Sequence, residues 1–131
     1  MNRLLLFVLL TVCSASWAEW ELSGRTDAFT HYIDKSSIRR DGVMAKMWIM
    51  NDYFVMQTAI AGKKYKSDKS LMVFNCAEET VELLSGVAYS GSMGEGNVVL
   101  SGTTKEIDLA WQPIVPGTVL EVMWRVACGK K

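Results

Sequence analysis

From residue 20 onward, short apolar-rich segments alternate with turn residues at hairpin spacing, and β-branched and aromatic side chains dominate the segments. Residues 20–24 read as a first strand. Residues 28–34 read as a second, with Phe29 and Ile33 on one face and Thr30 and Tyr32 on the other. Arg40-Asp41-Gly42 supplies turn chemistry, because Asp-Gly tolerates the positive φ of a tight hairpin, and residues 44–53 follow as the next strand. Across 71–76, Met72, Phe74 and Cys76 share a face, which puts the cysteine on the core side. Val81, Leu83, Val87 and Tyr89 keep period two, and Val98 and Leu100 do the same after a glycine-rich turn over 91–96. The pattern predicts five or six antiparallel strands.

The C-terminal segment fits two periods at once. Leu120, Val122, Trp124, Val126 and Cys128 alternate as in a strand, whereas Leu120, Met123, Trp124 and Ala127 fit a helix face equally well. Local chemistry favours the helix: Pro116-Gly117 interrupts, Thr118 with Glu121 three residues on forms a capping box, and Gly129 stands where a helix ends.

Ahead of the strands, residues 1–18 carry Arg3, the apolar run 4–12 and a small-residue end at Ser16-Trp17-Ala18, the pattern of a secretory signal peptide. Acylation at Cys13 is the competing route, although Val12 stands where that processing wants a small residue. Removing 18 of 131 residues leaves 113, the size of one domain over 19–131, with no later run apolar enough to span a membrane. Thirteen basic residues then face 14 acidic ones, so bulk charge points neither to nucleic acid nor to an anionic membrane. Cys13 leaves with the leader, and Cys76 and Cys128 remain as the two cysteines of an exported chain. They are expected to form one disulfide.

Catalytic and metal chemistry finds little to work with. His31 is the single histidine and sits mid-strand. No nucleophile elbow is present, and one histidine with two bridged cysteines makes no credible metal set, so neither a catalytic site nor a cofactor is expected. Residues 91–96 superficially resemble a phosphate-cradling loop but run into strand-like Val98-Val99-Leu100 in place of a helix N-terminus, and read as a hairpin turn. Glu78 and Glu79 are the one adjacent acidic pair and read as solvated. Trp48, Trp111 and Trp124 lie in apolar runs and read as core, while Trp20 suits core or contact surface. The segment with most functional promise is Lys63-Lys64-Tyr65-Lys66-Ser67-Asp68-Lys69, read as a hairpin or loop. Lys63, Lys64, Tyr65, Lys66 and Lys69 make a candidate patch for an acidic protein segment or another polyanion, and the competing reading is a solvated loop or a lysine-guarded edge.

Taken in order, Tyr32-Ile33-Asp34, Ser36-Ser37-Ile38-Arg39-Arg40, Trp48, Asp52-Tyr53, Tyr65-Lys66-Ser67, Phe74-Asn75-Cys76, Tyr89-Ser90, Gly94, Gly96, Trp111, Ile114, Pro116-Gly117-Thr118 and Cys128 resemble the surface-adhesin protein E-like domain of Gram-negative bacteria. The resemblance implies an α+β fold. It consists of a curved antiparallel sheet of about six strands, with a C-terminal helix packed on it and tied down by a Cys76–Cys128 bridge. It also implies a non-enzymatic binding domain in the periplasm or at the cell surface, whose partner is a host or extracellular protein or a polyanion, and a chain able to form a homodimer. The alternative is a periplasmic structural or envelope-associated protein without a host ligand.

Overall fold

The computed structural model describes residues 18–103 and 111–131. The leader expected over 1–18 therefore lies, apart from Ala18, outside the described residues. Six strands run as an antiparallel meander in chain order: β1 (Trp20–Arg25), β2 (Phe29–Asp41), β3 (Met44–Thr58), β4 (Lys64–Asn75), β5 (Thr80–Tyr89) and β6 (Val98–Thr103). A two-residue strand, β7 (Gln112–Pro113), pairs with Thr80 and Val81 on the part of the β5 edge that β6 leaves uncovered. The chain closes with helix α1 (Val119–Cys128), which decides the ambiguous C-terminal period in favour of the helix.

The strands are longer than the alternation suggested, because bulges break the phase within single strands. β2 changes register between Asp34 and Arg39. There the Ser36 N–H and hydroxyl donate to the Asp34 carboxylate, the Ser37 hydroxyl donates to the Asp34 carbonyl, and the Trp48 N–H donates to Ser37 Oγ at 2.9 Å. Serine hydroxyls thus stand in for the missing ladder bonds, and the strand continues past the point where alternation stops. In β5 the shift lies between Leu83 and Ser85, so Val81 and Leu83 face one side while Val87 and Tyr89 face the other; the single face expected for all four is corrected by that bulge. The 63–69 segment, expected to be a hairpin or loop, is corrected likewise: from Lys64 on it is the start of the inner strand β4, its strand character hidden by four lysines. At the β2–β3 turn the positive φ falls on Gly42, with Asp41 still paired to Met44.

One face of the sheet is half covered by α1. Ile33, Ala45, Met47, Ile49, Phe74 and Val81 bury against Met123, Trp124 and Ala127 of the helix, and Met47, Phe74 and Ala127 are fully excluded from water. The stripe at helical spacing buries; Trp48 is only half-buried, and Trp111, expected in the core, is 41% exposed because it precedes β7 on the sheet face opposite the helix, lining a shallow groove with Lys46, Val73 and Glu82. The helix start approaches the sheet at Gly24, where a Cβ would lie 2.9 Å from Val119 Cγ2.

Both helix ends are chemically closed. The Thr118 hydroxyl accepts from the Glu121 N–H, while the Glu121 carboxylate reaches one residue further back than a capping box does and accepts from Gly117 N–H at 2.6 Å. At the other end Lys130 N–H donates to Arg125 O and Gly129 N–H to Val126 O, with Gly129 at φ 65°, the paired bonds of a Schellman cap. Arg40 Nε donates to Ala127 O at 2.8 Å, Trp124 Nε1 donates to Asn75 O at 3.0 Å, and the Cys76–Cys128 disulfide ties the last turn to the residue just beyond β4.

Candidate binding surface

The helix covers only part of its face. Beyond it, residues paired directly across successive strands form one row: His31 opposite Asn51, Asn51 opposite Asp68, Asp68 opposite Ala88, and Ala88 opposite Leu100. Directly opposed residues in antiparallel strands point to the same side, so this row shares the helix face. Phe29 and Tyr53 form the next pair outward.

The row changes chemistry along its length. Asn51 Nδ2 donates to Asp68 Oδ1 at 3.0 Å and Tyr53 OH donates to Asp68 Oδ2 at 2.7 Å, so a carboxylate on β4 is clamped by two donors from β3. Burial raises Asp68 above the usual carboxylate range, and the two donors offset part of that rise. Burial likewise pushes the Tyr53 phenol upward, and the neighbouring Asp68 adds to the shift. His31 packs edge-on to Phe29 at 4.5 Å between ring centroids; burial holds its imidazole below the ordinary value of 6.5, with Asn51 acting weakly the other way. Nδ1 of His31 and Oδ1 of Asn51, on directly paired residues, are both buried and make no hydrogen bond of standard length and angle. Phe29, Tyr53 and Tyr65 continue as a ring-to-ring series at 5.1 and 5.6 Å.

Beside this network lies a groove of about 430 Å³, open to solvent and lined by Ile60, Tyr65, Asp68, Ala88 and Leu100, with Gly86 and Gly102 keeping its floor low. Its outer end is the β3–β4 hairpin, where Ile60 is 95% and Val55 71% exposed. Phe54, Met56 and Leu100 are also exposed. An unshielded apolar tip continuing into an apolar groove is the kind of surface that monomeric domains keep for partners.

The structure distributes the five residues of the 63–69 patch. Lys63 and Lys64 project at the hairpin end and are exposed. Tyr65 joins the aromatic series. The Lys66 ammonium donates to the carbonyls of Tyr53 and Phe54, filling the gap where β3 and β4 lose register between Asp52 and Gln57. Lys69 lies on the opposite face, with its Nζ 5.0 Å from the Tyr89 ring centre and 5.6 Å from that of Trp20. The groove row was missed because polar and charged letters at alternate positions look like a solvated face; only cross-strand pairing brings Asn51 to Asp68.

The glycine-rich 91–96 segment folds over that opposite face, and its amides are engaged by the protein. Met93 N–H donates to Asp52 Oδ1, Gly94 N–H to Ser67 Oγ at 2.8 Å, and Gly91 N–H to Glu95 O. Among the described residues no group of three or more His, Cys, Asp or Glu side chains converges on one point, and no described helix is long and apolar enough to cross a membrane.

Haemophilus influenzae protein E has the same fold. One of its crystal forms superposes with a TM-score of 0.61 at 15% identity over 87% of this chain and 97% of that one. A second structure of it gives 0.60 at 16% identity over 86% and 92%, and a selenomethionine form 0.59 at 17% over 82% and 90%. No curated protein matches the sequence. The family model for surface-adhesin protein E matches residues 20–129, which takes in every strand and the helix: this chain belongs to the surface-adhesin protein E family.

Proposed function

We propose that the chain is an exported, non-enzymatic binding domain of the adhesin E type, carried in the envelope or at the cell surface of a Gram-negative bacterium, where it holds an extracellular protein. The observation behind this reading is the exposed Ile60, which lines the groove together with Ala88 and Leu100, with exposed Val55 on the same β3–β4 hairpin. Membership of the surface-adhesin protein E family supports it. Lys63 and Lys64, exposed beside the tip, are suited to an acidic segment of the same partner, whereas Lys66 and Lys69 are engaged within the fold.

Burying two branched aliphatic side chains contributes roughly 1.5 kcal/mol or more each, so charging both is expected to weaken binding about a hundredfold. Purified wild-type domain passed over an immobilised extracellular-matrix extract should be retained, and a V55D/I60D variant should elute. Retention of the double variant at wild-type strength, or no retention of the wild type, would overturn the proposal. Shielding of the chain from protease on intact cells would refute surface display and leave the periplasmic, envelope-associated reading.

A further inference from the structure

We infer that the groove is a receptor for a basic side chain, arginine or lysine, offered by a partner polypeptide: its aliphatic stem lies along Ala88 and Leu100 and its charged end meets Asp68 beside the rings of Tyr53 and Tyr65. The inference rests on the binding role proposed above and adds the chemistry of what is bound.

Three observations carry it. First, the Asp68 carboxylate lines the groove and neither ion pair formed among the described residues involves it; those join Lys35 to Glu21 and Arg125 to Glu121. Second, two described cations on the same strand as Asp68 are turned elsewhere, Lys66 onto backbone carbonyls and Lys69 across the sheet to Trp20 and Tyr89. Third, among the described residues each carboxylate oxygen accepts one side-chain hydrogen bond and has capacity for another, so a guanidinium or ammonium adds to the Asn51 and Tyr53 bonds without displacing them. A carboxylate fixed by two donors needs no rearrangement before it binds, and aromatic faces beside it favour a cation over a neutral guest. Burial that raises Asp68 is relieved when an opposite charge arrives, which strengthens the preference.

Other apolar walls accept any greasy guest; this one has a desolvated charge at its floor. An anion is repelled by it, and an uncharged chain leaves the carboxylate without a counterion.

The test uses n-hexylguanidinium as the probe and n-hexanol as its uncharged counterpart, titrated into the full oxidised domain and followed by amide and aromatic NMR shifts. Saturable shifts are expected at Asp68, Ala88, Leu100 and the Tyr65 ring, with hexanol weaker by about tenfold or more. Asp68→Asn should retain the amide fingerprint of the fold and lose about tenfold in hexylguanidinium affinity. No saturable shift at about 10 mM probe, equal binding of hexanol, or equal binding by a folded Asp68→Asn variant would overturn the inference. The outcomes separate it from the broader reading. Matrix retention that depends on Val55 and Ile60 with no guanidinium binding sinks the cation receptor alone. Guanidinium binding without matrix retention sinks the adhesin role and leaves the receptor standing.

Discussion

Replacing both bridged cysteines, C76S/C128S, should destabilise the domain by about 4 kcal/mol without unfolding it. Cys76 and Cys128 are 52 positions apart, and closing a loop of that length removes roughly 14 cal/mol/K from the unfolded chain, which is about 4 kcal/mol at room temperature. A domain of this size gains about 0.24 kcal/mol/K of entropy at its melting point, so the loss corresponds to a drop of about 17 °C. The native helix should survive, because its dock does not rest on the sulfurs. Met123, Trp124 and Ala127 stay buried on Phe74, Met47 and Ile49, Trp124 still donates to Asn75 O, and Arg40 still donates to Ala127 O.

The assay is urea unfolding of the wild type and the double serine variant, read in parallel by tryptophan fluorescence and far-ultraviolet circular dichroism. A midpoint shift equivalent to about 4 kcal/mol, identical native spectra and coincident transitions are expected, with a somewhat larger m value for the uncrosslinked chain. A loss under about 1 kcal/mol would refute the loop-closure argument. Helix melting ahead of the sheet would refute the second half of the reasoning, since it would mean that the bridge holds a helix the core does not.

Two further outcomes follow from the local chemistry. Thr118→Ala removes the side-chain acceptor at the helix start and should lower stability by about 1 kcal/mol, with Thr118→Ser retaining most of it, as measured by the same denaturation. His31 is held below its ordinary value of 6.5, so the folded state binds fewer protons than the unfolded one; its contribution is complete above pH 6.5 and is lost as pH falls from there toward the folded value. The difference in melting temperature between wild type and His31→Gln should therefore shift against the wild type between about pH 7 and pH 5, and a difference independent of pH would contradict the burial argument.

The sequence made the helix and the bridge legible because both are written in local or countable signals. Thr118, Glu121 and Gly129 act close together in the chain, and the two cysteines outside the expected leader admit one pairing. Strand existence was legible too, from alternation. Strand length was not, because Ser36 and Ser37 repair the β2 ladder with hydroxyls and the Leu83–Ser85 shift reverses the phase of β5, and neither event leaves a period to read. The candidate surface was least legible. Asn51 and Asp68 are 17 residues apart and Asp68 and Leu100 are 32 apart, and only register makes neighbours of them. The lysines form a linear run in the sequence, yet a strand sends alternate side chains to opposite faces, so the fold splits the run.

The same rule explains why one face of a small sheet serves two purposes. A ten-residue helix spans about 15 Å, less than the length of β2 or β3, so α1 cannot cover a face that strands of 13 and 15 residues generate. Where it lies, β3 presents Ala45, Met47 and Ile49; where it ends, the same alternation continues as Asn51 and Tyr53. The switch from apolar to polar at that point is what an uncovered face requires if it is to avoid aggregation, and yet the polar groups are knotted into a network around Asp68 in place of being left to water. Because the bridge and the Arg40 and Trp124 bonds fix the helix toward one end, the open half is held at constant size. A surface defined in this way by the limited reach of its own cover is built on paired strands and on side chains already hydrogen-bonded to one another, which lowers the ordering cost of binding.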